Sequence, residues 1–352
     1  MPSRARFRPP RVAFVYPNPR AELAVQVARG EAPDTTLLGQ NHLAALGFDA
    51  RVHDPALTRR GGGRLRWNLR EVTLPWELGD AEVAFTPLAG LFPLVARARR
   101  GPRVVVVNYG LCTIWERSSR ARRAALSASL RSAAAVVCLG EWQRERLEEQ
   151  TGAGATTALL GIDERYFAPR PASGPAAEEE PYVLAVGKDL ARDYGTFTEA
   201  VRRLGVRAEI AAYPRNLEGV RLPPRTRARA VPAAELRELY AGAACVVVPQ
   251  RRQDYPYGSE GGGLTSLLET LAMARPLVAT DRPILHDYVT DGETALLVPP
   301  EDPDALAEAI RRVLENDGLA RRLGAAGRAR VEAELTTRHF AERIAPILRA
   351  AR

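Results

Sequence analysis

The sequence predicts an α/β protein built of two doubly wound domains in tandem, and three observations carry that expectation. At 352 residues the chain is too long for one compact core and suits two of ordinary size. Short apolar runs alternate with helical patterns through the first half, and the alternation restarts after residue 181. Between the halves lies APRPASGPAAEEEP (168–181), rich in Pro, Ala and Glu without apolar periodicity, which reads as an interdomain linker. The expected division is a first domain over 1–170, a second over 171–335, and a C-terminal helix over 336–352 that packs back toward the first.

In chain order, VAFVYP (12–17), DARVHD (49–54), EVAFT (82–86), RVVVVN (103–108) and AAVVCL (134–139) are apolar stretches bounded by polar or turn residues. Strands covered on both faces of a parallel sheet read this way. Helices are expected between them over 35–47, 91–100, around 114–132 and 141–152. The second half offers strands at 182–187, 207–213, 244–250, 276–280 and 294–300. Helices near 194–204, near 233–241 and from about 264 alternate with them, and three more close the chain near 303–315, 317–334 and 338–350. Open α/β sheets bind ligands at the C-terminal ends of their strands, so two such domains facing each other would bind in the cleft between them.

A content of 46% hydrophobic and 26% charged residues fits a globular protein and excludes disordered and fibrous classes. No apolar run approaches the ~20 residues of a membrane-spanning helix. The basic N-terminus, MPSRARFRPPR, has no apolar region before the first strand, so no signal peptide is expected. Cys112, Cys138 and Cys245 form no CxxC or Cys/His cluster and read as buried, reduced thiols of a cytoplasmic protein. The net charge of +8 is uneven: residues 1–170 hold 25 Arg against 16 acidic residues, and residues 171–352 balance to −1. This is either an arginine-rich solvated surface or a first half suited to an anionic acceptor or the inner face of a membrane. Nucleic acid is not expected, because no binding motif and no basic stretch with interleaved aromatics is present. Among 50 basic residues, Lys188 is the single lysine.

Two segments carry chemistry. In AVGKDLARDYGTFTEAV (185–201) a strand ends at Gly187, Lys188 follows, and Arg192 stands four residues on, before a helix. Glycine lets a ligand approach the backbone, and Lys with Arg beside a helix N-terminus suits a phosphate. In GSEGGGLTSLLETLAMARP (258–276), Gly261, Gly262 and Gly263 precede a helix starting near Leu264 or Thr265. Its first-turn amides and dipole favour an anion, and Glu269 stands about a turn further on. His42, His53, His286 and His339 lack metal-ligand spacing and read as structural, as do Trp67, Trp76, Trp115 and Trp142.

Together these segments resemble the nucleotide-binding domain of retaining GT-B-fold glycosyltransferases of the family-4, or group 1, type. The resemblance rests on GIDERYFAPR (161–170), GKDLARDY (187–194), LYAGAACVVVPQ (239–250), LLETLAMARPLVAT (267–280) and DGETALLVPPEDPDALAEAI (291–310), in the family's order and spacing. It implies a GT-B fold, with two Rossmann-like domains facing each other across a cleft. It also implies transfer of a hexose from a nucleotide diphosphate sugar to a hydroxyl acceptor, with retention, no cofactor and no metal. By resemblance, Lys188 and Arg192 hold the diphosphate, with the family's Arg and Lys exchanged. Glu269 binds the ribose hydroxyls, the backbone around Val231 contacts the base, and Gly187, Gly263, Leu264 and Thr265 approach phosphates and sugar. Asp287 matches a frequent acidic position, and the leaving phosphate takes the acceptor's proton.

The departures are as specific. The family separates its two glutamates by seven residues, whereas Glu260 and Glu269 have eight between them. The first carboxylate, which resemblance places on the donor sugar, is therefore either Glu260 through a bulge or missing, with Gly261 in its place. Ala274 replaces a glycine, and 250–260 is longer than expected. After the first strand no glycine-rich loop is recognisable, although Gly39 opens a helix candidate. Asn108, followed by Tyr109, stands where the family often has His. Gly39, Asn108 and Tyr109 are the acceptor-side candidates. The alternatives are another GT-B enzyme, such as a sugar-nucleotide epimerase, and a nucleotide- or partner-binding protein without catalysis. The nucleobase, sugar, acceptor and oligomeric state are not legible.

Overall fold

The five apolar runs of the first half pair as parallel strands, β1 (Arg11–Val15), β2 (Asp49–His53), β3 (Val83–Thr86), β4 (Arg103–Asn108) and β5 (Ala135–Cys138), and a short edge strand that was not expected, β6 (Thr156–Thr157), joins them. Their order across the sheet is β2-β1-β3-β4-β5-β6. The second half repeats the plan with β7 (Tyr182–Val186), β8 (Ala208–Ala211), β9 (Thr226–Arg229), β10 (Ala243–Val248), β11 (Leu277–Thr280) and β12 (Leu296–Val298), in the order β12-β11-β10-β7-β8-β9. This computed structural model describes residues 8–55, 64–170 and 180–352, with no side chains described for 64–69. Residues 171–179 of the expected linker, the first seven residues and the Trp67 side chain lie outside that description. The chain divides into two units, Met1–Ala158 with Thr337–Arg352, and Leu159–Thr336.

In unit 1, β1 is followed by α1 (Ala21–Ala28), and α2 (Arg64–Glu77) precedes β3. Neither helix was expected. α3 (Phe92–Ala98), α4 (Leu111–Glu116), α5 (Arg120–Ser132) and α6 (Glu141–Thr151) follow. The helix expected over 114–132 is two helices, and Ser119 restarts the second by accepting the Arg122 amide. The helix expected over 35–47 is a pair of 3-10 turns, Asp34–Leu37 and Gln40–Leu46, separated by Leu38 (φ +53) and Gly39 (φ +72). Two successive left-handed residues end an α-helix. The core packs Val15, Ala84, Val104 and Val106 against Leu74, Phe92 and Leu130. Phe14 and Phe85 stack 4.9 Å apart.

In unit 2, α7 (Tyr194–Leu204), α8 (Ala233–Gly242), α9 (Leu264–Ala272), α10 (Pro303–Leu314) and α11 (Asp317–Glu334) follow the strands within two residues of their expected limits. Phe197, Val201, Ile310 and Val313 are buried against Val183, Ile210 and Val247, and each such side chain contributes about 1.5–3 kcal/mol. α12 (Thr337–Ala350) returns to unit 1, where Phe340 meets Phe85 edge-on at 6.5 Å. No described helix is long and apolar enough to cross a membrane.

Strand order gives each sheet one reversal point. In unit 2 the chain runs outward from β7 to β9, then starts again beside β7 with β10 and proceeds the other way. In unit 1 the reversal lies between β1 and β3. Helices on either side diverge at such points, leaving a crevice at the strands' C-terminal ends.

Candidate functional site

The loops leaving β7 and β10 flank the unit 2 reversal, and they contain both chemistry-bearing segments. Gly187 follows β7 with φ +149. A Cβ there would lie 1.8 Å from Arg192 Nε, so only glycine lets the guanidinium fold back over the strand end. Arg192 is buried, with Nε donating to the Val186 carbonyl (3.0 Å) and Nη2 to Ser266 Oγ (3.2 Å). Its Nη1 is buried without a hydrogen-bond partner. The Arg192 and Gln250 backbones pair, joining the two loops.

From the other side comes the glycine turn. Gly262 N donates to the Ser259 carbonyl (3.0 Å), and Gln250 Nε2 donates to the Gly262 carbonyl (2.6 Å). Gly263 then starts α9 with φ +101; a Cβ there would stand 2.9 Å from Arg192 Nη1. The N-cap of α9, Gly263, has no side chain to cap it, and Leu264 N donates to the Gly261 carbonyl at 3.4 Å; a helix start of this kind favours an anion. The helix after Lys188 differs. Asp193 caps α7 by accepting the Thr196 amide at 3.0 Å, so α7 does not present an open end here as α9 does. Leu264 is buried beneath the turn, and Thr265 is exposed on it.

Glu269 lies in the second turn of α9 and is buried, its Oε2 accepting the Tyr240 hydroxyl at 2.8 Å. Burial pushes its carboxyl up to about 7, against the Tyr240 hydrogen bond and the charges of Lys188 and Arg192. Lys188 is exposed, with its ammonium 5.0 Å from the centre of the Tyr213 ring. Val231 is half-buried in the turn between β9 and α8, at the same end of the sheet.

Glu260 is fully buried. Its charge acts on Arg282, a buried guanidinium that burial pushes down to about 10 and that stays cationic at neutral pH. Arg282 donates through Nε (2.8 Å) and Nη2 (2.5 Å) to Gln253 Oε1, which ties down the long 250–260 loop. The sequence did not single out Tyr240, Gln250, Ser266 or Arg282. Tyr240 lies within the LYAGAACVVVPQ stretch, whereas Arg282 becomes visible only once β11 is placed beside β10.

The acceptor-side candidates occupy unit 1. Asn108 is buried at the end of β4, its Oδ1 accepting the amides of Gly110 (3.0 Å) and Leu111 (2.7 Å) and its Nδ2 facing the Cys112 and Cys138 sulfurs. It therefore starts α4. Tyr109 beside it is 39% exposed. Gly39 packs on α12, where a Cβ would lie 2.9 Å from Ala341 Cβ. At the unit 1 reversal, Asp54 accepts the Arg20 (2.7 Å) and Ala21 (3.0 Å) amides at the start of α1. The buried Glu71 carboxylate accepts the Leu91 and Phe92 amides at the start of α3. His42, His53 and His286 each meet a carboxylate, and all three cysteines are buried.

Residues 228–330 match the family described as Glycosyl transferases group 1. The chain is 41% identical over 70 residues to a phosphatidyl-myo-inositol mannosyltransferase of Mycobacterium leprae, covering 20% of this chain and 18% of that protein. It is 32% identical over 125 residues to an alpha-maltose-1-phosphate synthase of Mycolicibacterium smegmatis, covering 34% and 30%. The matched stretches thus span less than a third of either relative. Among solved structures, the sucrose-phosphate synthase of Thermosynechococcus elongatus superposes with a TM-score of 0.75 at 21% identity, over 97% of this chain and 98% of that one. The Anabaena protein HepE, solved with UDP-glucose, gives 0.69 at 11% identity, over 96% and 99%. The fold is that of the GT-B glycosyltransferases.

Proposed function

We propose that this chain, which carries a group 1 glycosyltransferase segment on a GT-B scaffold, is a retaining transferase. It moves a hexose from a nucleotide diphosphate sugar to a hydroxyl acceptor. The observation that carries this reading is the start of α9 at Gly263, with the buried, unpartnered Arg192 Nη1 beside it and Lys188 near enough to act on Glu269 in the same helix. Glycosyl transfer builds negative charge on the departing diphosphate, and fixed amides and cations aimed at that charge lower the barrier. With that positive charge supplied by the chain, the reaction proceeds without a metal or other cofactor. Glu269 holds the ribose hydroxyls, and the turn around Val231 meets the base. Glu260, buried beside Arg282, acts from behind the glycine turn and leaves the backbone of Gly261 toward the sugar.

No side chain is assigned as general base; the leaving phosphate takes the acceptor's proton. The acceptor belongs to the basic unit 1, which suits an anionic or membrane-associated molecule on the cytoplasmic side. The curated relatives' names, a mannosyltransferase and a maltose-phosphate synthase, support sugar transfer. The neighbour solved with UDP-glucose supports a nucleotide-sugar donor. The burial of Asn108, with Oδ1 committed to starting α4 and Nδ2 turned to two cysteine sulfurs, favours a second reading, a GT-B nucleotide-binding protein without transfer. Incubation with UDP-, GDP- and ADP-sugars separates the two. Slow release of free sugar from one donor supports the transferase, and binding without release supports the second reading. Absence of both binding and release overturns the donor site.

A further inference from the structure

Lys188 would be an ordinary flexible surface lysine if its surroundings did not hold it at both ends. At the backbone, Asn216 Nδ2 donates to the carbonyls of Lys188 (3.3 Å) and Asp189 (3.0 Å). Asn216 closes the short 3-10 turn Pro214–Asn216, which follows β8 and starts from Tyr213. At the side-chain end, the ammonium lies over the Tyr213 ring, 5.0 Å from its centre, and the Arg215 guanidinium lies 5.2 Å from the same centre. Tyr213 is 37% exposed, so core packing does not account for its place. The ammonium position on the ring is also close enough to Glu269 to act on that carboxyl.

We propose that Tyr213, with Asn216 beneath it, is a positioning residue that presents the Lys188 ammonium to the diphosphate of the donor. The inference rests on the donor-site reading above. A lysine side chain loses much rotamer freedom when a ligand fixes it. Holding the ammonium on a ring face beforehand removes part of that cost from binding, and the ammonium keeps N–H groups free for phosphate oxygens. The brace comes from β8 and the lysine from β7, so sheet order brings them together.

The test is calorimetric titration of UDP, GDP and ADP into the full chain and its variants. Tyr213→Leu should weaken the best-bound diphosphate about three- to fivefold, the range for a cation over an exposed ring, with the melting temperature unchanged. Tyr213→Phe, which keeps the ring, should bind within about twofold of the native chain. In a Lys188→Met background the Tyr213→Leu change should have no further effect. Unchanged or tighter binding by Tyr213→Leu overturns the inference, the latter meaning that the lysine must leave the ring to reach the ligand. Full persistence of the loss in the Lys188→Met background overturns it too. Either result leaves the donor site standing, whereas a native chain that binds none of the three diphosphates overturns both.

Discussion

The two reversal points are built alike and finished differently. In unit 1 the helix starts beside the reversal are filled by the chain's own carboxylates, Asp54 on α1 and Glu71 on α3. In unit 2 the N-cap of α9 is Gly263, which has no side chain to cap the helix, and a glycine turn leads into it. Lys188 and Arg192 lie close enough to act on Glu269, and the carboxylates of Asp189 and Glu260 stand behind the turn beside Arg282. A helix N-terminus favours an anion in either place. Where the protein supplies the anion, the end is a structural joint; the proposed donor site uses the start of α9. GT-B topology thus provides two similar crevices, and on the proposed reading the carboxylates that fill the helix starts of unit 1 leave the phosphate to unit 2.

Four substitutions sharpen or break this contrast. The largest effect is expected from Gly187→Ala, whose Cβ would lie 1.8 Å from Arg192 Nε. Displacing that guanidinium should abolish nucleotide binding in a titration and lower unfolding free energy by about 2–4 kcal/mol in a denaturant series. Next, Lys188→Ala should weaken nucleoside diphosphate binding about 10- to 100-fold, the range for a charge-assisted contact. Unchanged affinity would remove Lys188 from the diphosphate.

Glu269 gives a pH signature. Its carboxyl is raised from 4.5 to about 7 by burial, so the group favours the folded state below pH 4.5 and loses that contribution as pH rises toward 7. The change is at most about 3 kcal/mol. Ribose hydroxyls donate to the ionised form, so nucleotide affinity should rise with pH between 6 and 8. Glu269→Gln should flatten both profiles, and a pH dependence that survives it belongs to another group. The smallest effect is expected from Asp54→Ala, which uncaps α1. It should cost about 1 kcal/mol of stability and leave nucleotide affinity as it is. A binding change there would mean that the unit 1 crevice is also a site.

How much of this was legible follows from how local each feature is. Five of the six unit 2 strands were readable because Val- and Ala-rich runs buried on both faces leave a continuous apolar signal; β9, TRAR at the sheet edge with alternate residues exposed, was not. Lys188, Arg192, Gly261–Gly263 and Glu269 were readable as candidates because each lies within a few residues of a strand or helix end. Tyr213, Tyr240 and Arg282 were not, since sheet order brings them in from other strands. Unit 1 was harder for a different reason. Leu38 adopts φ +53, which no property of leucine announces, and so a helix expected over 35–47 becomes two short turns. Asn108 shows the limit of reading by position: its Oδ1 is used in starting α4 and its Nδ2 faces two cysteine sulfurs, which only the fold reveals.

The most direct test is a crystal structure of the native chain with a bound nucleoside diphosphate. The expected result places its phosphates within hydrogen-bond distance of the Gly263–Thr265 amides and the Lys188 ammonium, with the ribose on Glu269. A diphosphate bound instead at the β1–β3 reversal of unit 1, or one that leaves the start of α9 untouched, would contradict the account.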